Sequence, residues 1–151
     1  MRRERGVDGW QSTATIELED ASGGFCTAFD WLGYDLTFRA TGFEAHEGQE
    51  VYVQLQRTDG SIVAVEDDAV VTDGVIEATL SRRLLPGASH RLLVHVDADE
   101  DFSCAVPPDV GYEIPIDEVL GAVAIEEARD ALVPAADICE RLDAGRWPWD
   151  D

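Results

Sequence analysis

Lysine is absent from this chain: all 11 basic residues are arginine, set against 32 acidic ones, for a net charge of −21. A surface this negative repels nucleic-acid phosphate and anionic lipid, which argues against both as partners. What remains is a solubility surface, or an acidic face for a basic protein partner or in imitation of DNA. No apolar run approaches the roughly 18 residues of a membrane-spanning helix. The start Met1-Arg-Arg-Glu-Arg5 has the charge of an export signal, but Gly6 to Gln11 supplies no apolar stretch behind it. The expectation is a cytoplasmic chain, or one numbered after removal of a signal and placed in the periplasm, at the cell surface or outside.

Other scarcities narrow the chemistry. Met1 is the only methionine, which excludes a blue-copper ligand set. Cys26, Cys104 and Cys139 contain no Cys-x-x-Cys pair, which argues against structural zinc and thioredoxin-type exchange. An oxidising compartment would allow one disulfide, and Cys26–Cys104 is the favoured pairing because both residues flank predicted strands; a reducing one would leave three thiols. There is no G-x-S-x-G, no glycine-rich phosphate loop and no ordering of Ser, His and Asp that marks a triad. Carboxylate pairs are too numerous to indicate glycosidase chemistry. No catalytic residue is assigned, and the chain reads as non-enzymatic.

What is present is strand patterning. At 151 residues with 45% hydrophobic content, the chain suits one well-buried domain. Tyr34 to Thr41 alternates strictly, placing Tyr34, Leu36, Phe38 and Ala40 on one face; Val51, Val53 and Leu55 do the same in Glu50 to Arg57. Asp59-Gly60 and Asp73-Gly74 sit between apolar runs as hairpin turns, predicting strands at Ile62 to Glu66, Ala69 to Val71 and Val75 to Leu80. Pro86-Gly87 introduces Ser89 to Val96, and Gly111 to Ile116 is a further strand. The fold class is therefore all-β, an immunoglobulin-like β-sandwich of about seven or eight strands with a short irregular or helical C-terminal tail. The organisation expected is a loose arm over residues 1–24 with an early strand at Thr13 to Glu19, a sandwich over 25–130 and a tail over 131–151. Residues 117–132 are open between a helix capped by Asp117 and a last strand at Ala122 to Ile125. A short helix is expected within Ala135 to Leu142.

The strongest functional pattern follows the strand ending at Val96. Asp97, Asp99, Asp101 and Ser103 stand at the first, third, fifth and seventh positions of an EF-hand-like loop, an oxygen set that suits calcium. Two positions depart: Phe102 replaces the turn glycine, and Pro108 stands where a bidentate glutamate belongs, with Asp109 beside it as substitute. The expected metal ligands are thus Asp97, Asp99, Asp101, Ser103 and Asp109, against a solvated acidic turn; Asp67-Asp68 is a second, weaker acidic feature. His46, His90 and His95 do not converge by local spacing and are expected at the surface or strand ends. Tyr52, on a polar strand face, and the Trp147/Trp149 pair are candidates for docking protein or carbohydrate, the Trp pair being expected mainly to pack against the sandwich end.

Asp30 to Gln49, with its strand, Thr-Gly-Phe turn and His46-Glu-Gly-Gln49, resembles the opening of small β-sandwich domains in exported proteins of myxobacteria and related bacteria. Asp97 to Ser103, Pro107-Pro108-Asp109 and Gly111 to Ile116 stand at the matching places. The resemblance implies an exported module and a strand at Ala122 to Ile125. The function expected is a non-enzymatic exported binding or structural module with calcium as candidate cofactor. The alternative is an acidic intracellular protein that binds a basic partner.

Overall fold

A computed structural model describes residues 33–149; the arm, the early strand at Thr13 to Glu19 and Cys26 lie outside the described residues. Seven strands follow in order: β1 (Tyr34–Thr41), β2 (Glu50–Arg57), β3 (Ile62–Val70), β4 (Val75–Leu84), β5 (His90–Val96), β6 (Val110–Ile116) and β7 (Val123–Ala128). A short helix, α1 (Ile138–Asp143), comes last. The strands make two sheets, β4-β1-β7 and β3-β2-β5-β6. This is the all-β sandwich expected, three strands layered against four. Within that layering β1 and β7 are parallel and every other pair is antiparallel.

Alternation does the layering. Leu36, Phe38 and Ala40 from one sheet meet Val51, Val53, Leu55, Leu92, Val94 and Val96 from the other in a single buried cluster. The Asp73-Gly74 turn forms, both residues taking positive φ (54° and 73°) between Thr72 and Val75, but the expected hairpin does not: β3 and β4 lie in different sheets, so the turn carries the chain from one layer to the other. Its two amides donate to the Glu47 carboxylate at 3.0 and 2.9 Å, which fixes the turn against the start of β2.

Two local expectations give way. The strands expected at Ile62 to Glu66 and Ala69 to Val71 are one strand, β3. Its partner β2 spends one residue, Tyr52, opposite two, Asp67 and Asp68, because Val51 pairs with Ala69 and Val53 with Glu66. A β-bulge of this kind absorbs an extra residue and re-aims the side chains around it. The helical option for residues 117–132 is also overturned. Val123–Ala128 pairs with β1, and Val123 and Ile125 pack on the core, so the need to extend the smaller sheet outweighs the helix propensity of alanine and glutamate.

The four-stranded sheet is covered on its outer face too. From β7 the chain makes a 3-10 turn, Arg129–Ala131, and bonds along the free edge of β6, where Ala135 donates to Gly111 O at 2.8 Å. Helix α1 then lies on β5 and β6, with Ile138 and Ala135 packed on Leu93 in a second cluster. Finally Ile62, at the start of β3, donates to Arg146 O at 2.7 Å. The C-terminal segment is thus a strap from one edge of the sheet to the other. Arg141 fastens it to Glu113 of β6, and is itself oriented by Asp137 within the strap at 2.8 Å.

Gly111 makes the strap's approach possible: a Cβ there would stand 2.3 Å from the Ile138 side chain. Gly111→Ala should therefore cost about 2 kcal/mol through overpacking. Gly121→Ala, where a Cβ meets nothing within 4 Å, should leave the urea midpoint nearly unchanged. Equal midpoints for the two variants would show that the strap does not press on the sheet.

Candidate functional site

The loop between β5 and β6 is organised by its carboxylates acting as acceptors for its own backbone. Asp97, almost fully buried, accepts from the amides of Asp101 (3.3 Å) and Phe102 (2.9 Å). This holds the chain through positive φ at Glu100 (59°) and Phe102 (63°). The sixth loop position, where glycine was missing, thus takes the left-handed conformation anyway, because the Asp97 carboxylate binds the amide of that turn. Asp101 accepts from Ser103 N at 2.9 Å and from Ser103 Oγ at 2.7 Å.

Asp109 closes the loop from the other end. The carboxylate, 2% exposed, accepts from Ala98 N (2.8 Å), Ala105 N (3.1 Å) and His95 Nε2 (2.9 Å). A carboxylate can only accept, so Nε2 is the protonated nitrogen of His95. Burial pushes the Asp109 carboxyl up, but the hydrogen bonds from His95, Ala105 and Ala98 outweigh it and hold it below the ordinary carboxylate range. Asp101 is also lowered, by the Ser103 hydrogen bonds. Asp99 is raised, first by partial desolvation and then by the charges of Asp101, Asp109 and Asp97.

Of the five expected ligands, the structure brings three together. Asp97, Asp99 and Asp109 each offer a carboxylate oxygen, all within 4.8 Å of one another. Asp101 and Ser103 are instead bonded to each other. The expected disulfide is corrected: Cys104 is bonded to Cys139, with a Cα–Cα distance of 5.6 Å, and not to Cys26. Sequence position suggested a partner beside a strand; the strap supplies one by lying over the loop.

Two of the three histidines stand at or next to the ends of β5, as expected, but are not at the surface. His90 and His95 are buried, His90 accepting from Leu85 N at 3.2 Å and held below the usual imidazole range by burial. His46 bonds Gln49 Oε1 at 2.7 Å, and Gln49 in turn donates to Ala98 O at 2.8 Å. Trp147 and Trp149 stack on each other with centroids 5.0 Å apart, and Trp149 stays exposed, where packing against the sandwich end was expected.

The loop, the end of α1 and the outer face of β2 and β5 enclose an open groove of about 400 Å³. Tyr52 and His95, neighbours across the β2–β5 pair, form its floor. Tyr52 and Asp67 were legible as candidates. Leu142 and Asp143 as parts of this groove were not, because nothing local in the sequence signals that the strap returns over the loop.

No family model and no curated protein matches the chain. A fimbrial assembly protein from Parabacteroides distasonis is similar in structure, with a TM-score of 0.36 and 10% identity over 63% of this chain. The chain spans about half the length of that protein, 52% of it.

Asp109 should be the loop's main anchor. In chelator, Asp109→Ala should lower stability near neutral pH by about 3 kcal/mol, because three donors lose their acceptor. A lowered folded-state carboxyl contributes stability above its unfolded value of about 3.9 and loses it as pH falls through the folded value. The gap between wild type and variant in urea midpoint should therefore narrow on going from neutral pH to about pH 3. A gap that stays constant would mean that the carboxylate's charge adds nothing.

Proposed function

We propose that this chain is a non-enzymatic binding or structural module of an exported protein. The observation that carries the reading is the Cys104–Cys139 disulfide, which fastens the strap to the aspartate loop. Such bonds form and persist in oxidising compartments. The sequence resemblance to exported β-sandwich domains points the same way. His90 and His95 are engaged in holding loops, with Leu85 and Asp109 as partners, which supports a structural use for both.

Thiol counting tests this. Protein prepared by export to an oxidising compartment should show one free thiol in denaturant, and three after reduction. Closing a loop of 35 residues should contribute about 4 kcal/mol on the chain-entropy estimate, so Cys139→Ser should melt well below the oxidised protein. Three free thiols in exported protein would overturn the reading.

Calcium steadying of the module is the second part of the proposal, and the convergence of Asp97, Asp99 and Asp109 supports it. The Asp99 carboxyl, raised first by desolvation and then by the charges of Asp101, Asp109 and Asp97, would be relieved by a hard cation bound through oxygen. Calcium at 100 times its dissociation constant should stabilise the fold by about 2.7 kcal/mol, beyond sodium at matched ionic strength. Asp99→Asn should remove most of that gain. Equal effects of calcium and magnesium, unchanged in Asp99→Asn, would reduce the loop to an acidic turn.

A further inference from the structure

We infer that the groove between the aspartate loop and the end of α1 is a receptor slot for an arginine side chain of a basic protein partner. The inference rests on the reading of this chain as a binding module and names the chemistry of what it binds. Three features converge. The floor is the half-buried ring of Tyr52, on the outer face of the sheet. One rim is Phe102, 79% exposed, whose backbone is held in the left-handed region by the Asp97 carboxylate. Carboxylates stand around these rings from three separate elements: Glu50 at the start of β2, Asp67 on the β3 bulge and Asp143 at the end of α1.

Charge complementarity selects the occupant. Among the described residues no arginine lines the groove, and its one histidine is bonded to Asp109. A net charge of −21 disfavours a second copy of this chain as the occupant. Aromatic faces beside carboxylates suit a guanidinium, which stacks on a ring while its planar donors reach acceptors at the rim. An ammonium is more strongly hydrated and has no flat face to stack, so lysine fits less well.

The test is fluorescence anisotropy of the full chain, in chelator, with a labelled peptide of alternating arginine and glycine and its lysine counterpart. Tyr52→Leu and Phe102→Ala leave the net charge unchanged, and each should weaken the arginine peptide about tenfold. Phe102 is exposed, so its removal tests the slot even if Tyr52→Leu disturbs the fold. Asp67→Asn with Asp143→Asn should weaken binding by a similar factor. Glu118→Gln with Glu126→Gln, an equal charge change at exposed positions outside the groove, should change it less than about twofold. Aromatic variants that bind like wild type, or charge pairs that act alike, would show general attraction to an acidic surface and overturn the slot. Equal affinity for the lysine peptide would overturn the guanidinium assignment. A failure of either kind leaves the exported-module reading standing, since thiol counting decides that separately.

Discussion

The burial of β5 on both faces is the constraint from which the remaining architecture follows. Leu92, Val94 and Val96 point into the sandwich, while Leu93 and His95 point the other way, and all five are buried. A strand in that position needs cover on each side, as in sheets with both faces packed. The smaller sheet supplies the inner cover. The outer cover is the strap, whose Ile138 and Ala135 lie on Leu93. Gln54 and Gln56, buried on the same outer face, are bonded to each other, and Gln56 donates on to Arg141 O at 3.2 Å. The strap therefore satisfies polar groups that its own arrival has removed from water.

The strap also changes what the aspartate loop is. Three successive turns are built from side-chain acceptors: Asp97 for Asp101 and Phe102, Asp101 for Ser103, Asp109 for Ala98 and Ala105. Each of these three carboxylates stands in for a carbonyl that an ordered turn would otherwise need. The disulfide then joins this scaffold to α1, so that the loop, the helix and the sheet share one groove. Its acidity is contributed from β2, β3 and α1 as well as by the loop.

Electrostatics and packing act at different scales in this protein. The overall charge bears on solubility, self-repulsion and choice of partner, and says little about the fold. Buried carboxylates such as Asp109 tie the β5–β6 connection to His95 and to two backbone amides. The exposed ion pair Arg39–Glu77 on the outer face of the smaller sheet contributes little by comparison, since solvent screens it.

The sequence by itself determined the elements whose signal is local. The period-two alternation in β1 and β2 set their bounds and their core faces, and Asp73-Gly74 set a tight turn, because one buried face and one positive-φ turn each leave a mark on adjacent residues. Tertiary structure decided the rest. Residues 123–128 became a strand because β1 offered an edge to pair with. Cys104 met Cys139 because the strap crosses the loop, and Asp99 came to Asp109 because His95 and two backbone amides draw the Asp109 carboxylate inward. Each of those outcomes depends on contacts between residues far apart in sequence, whose geometry no local pattern encodes.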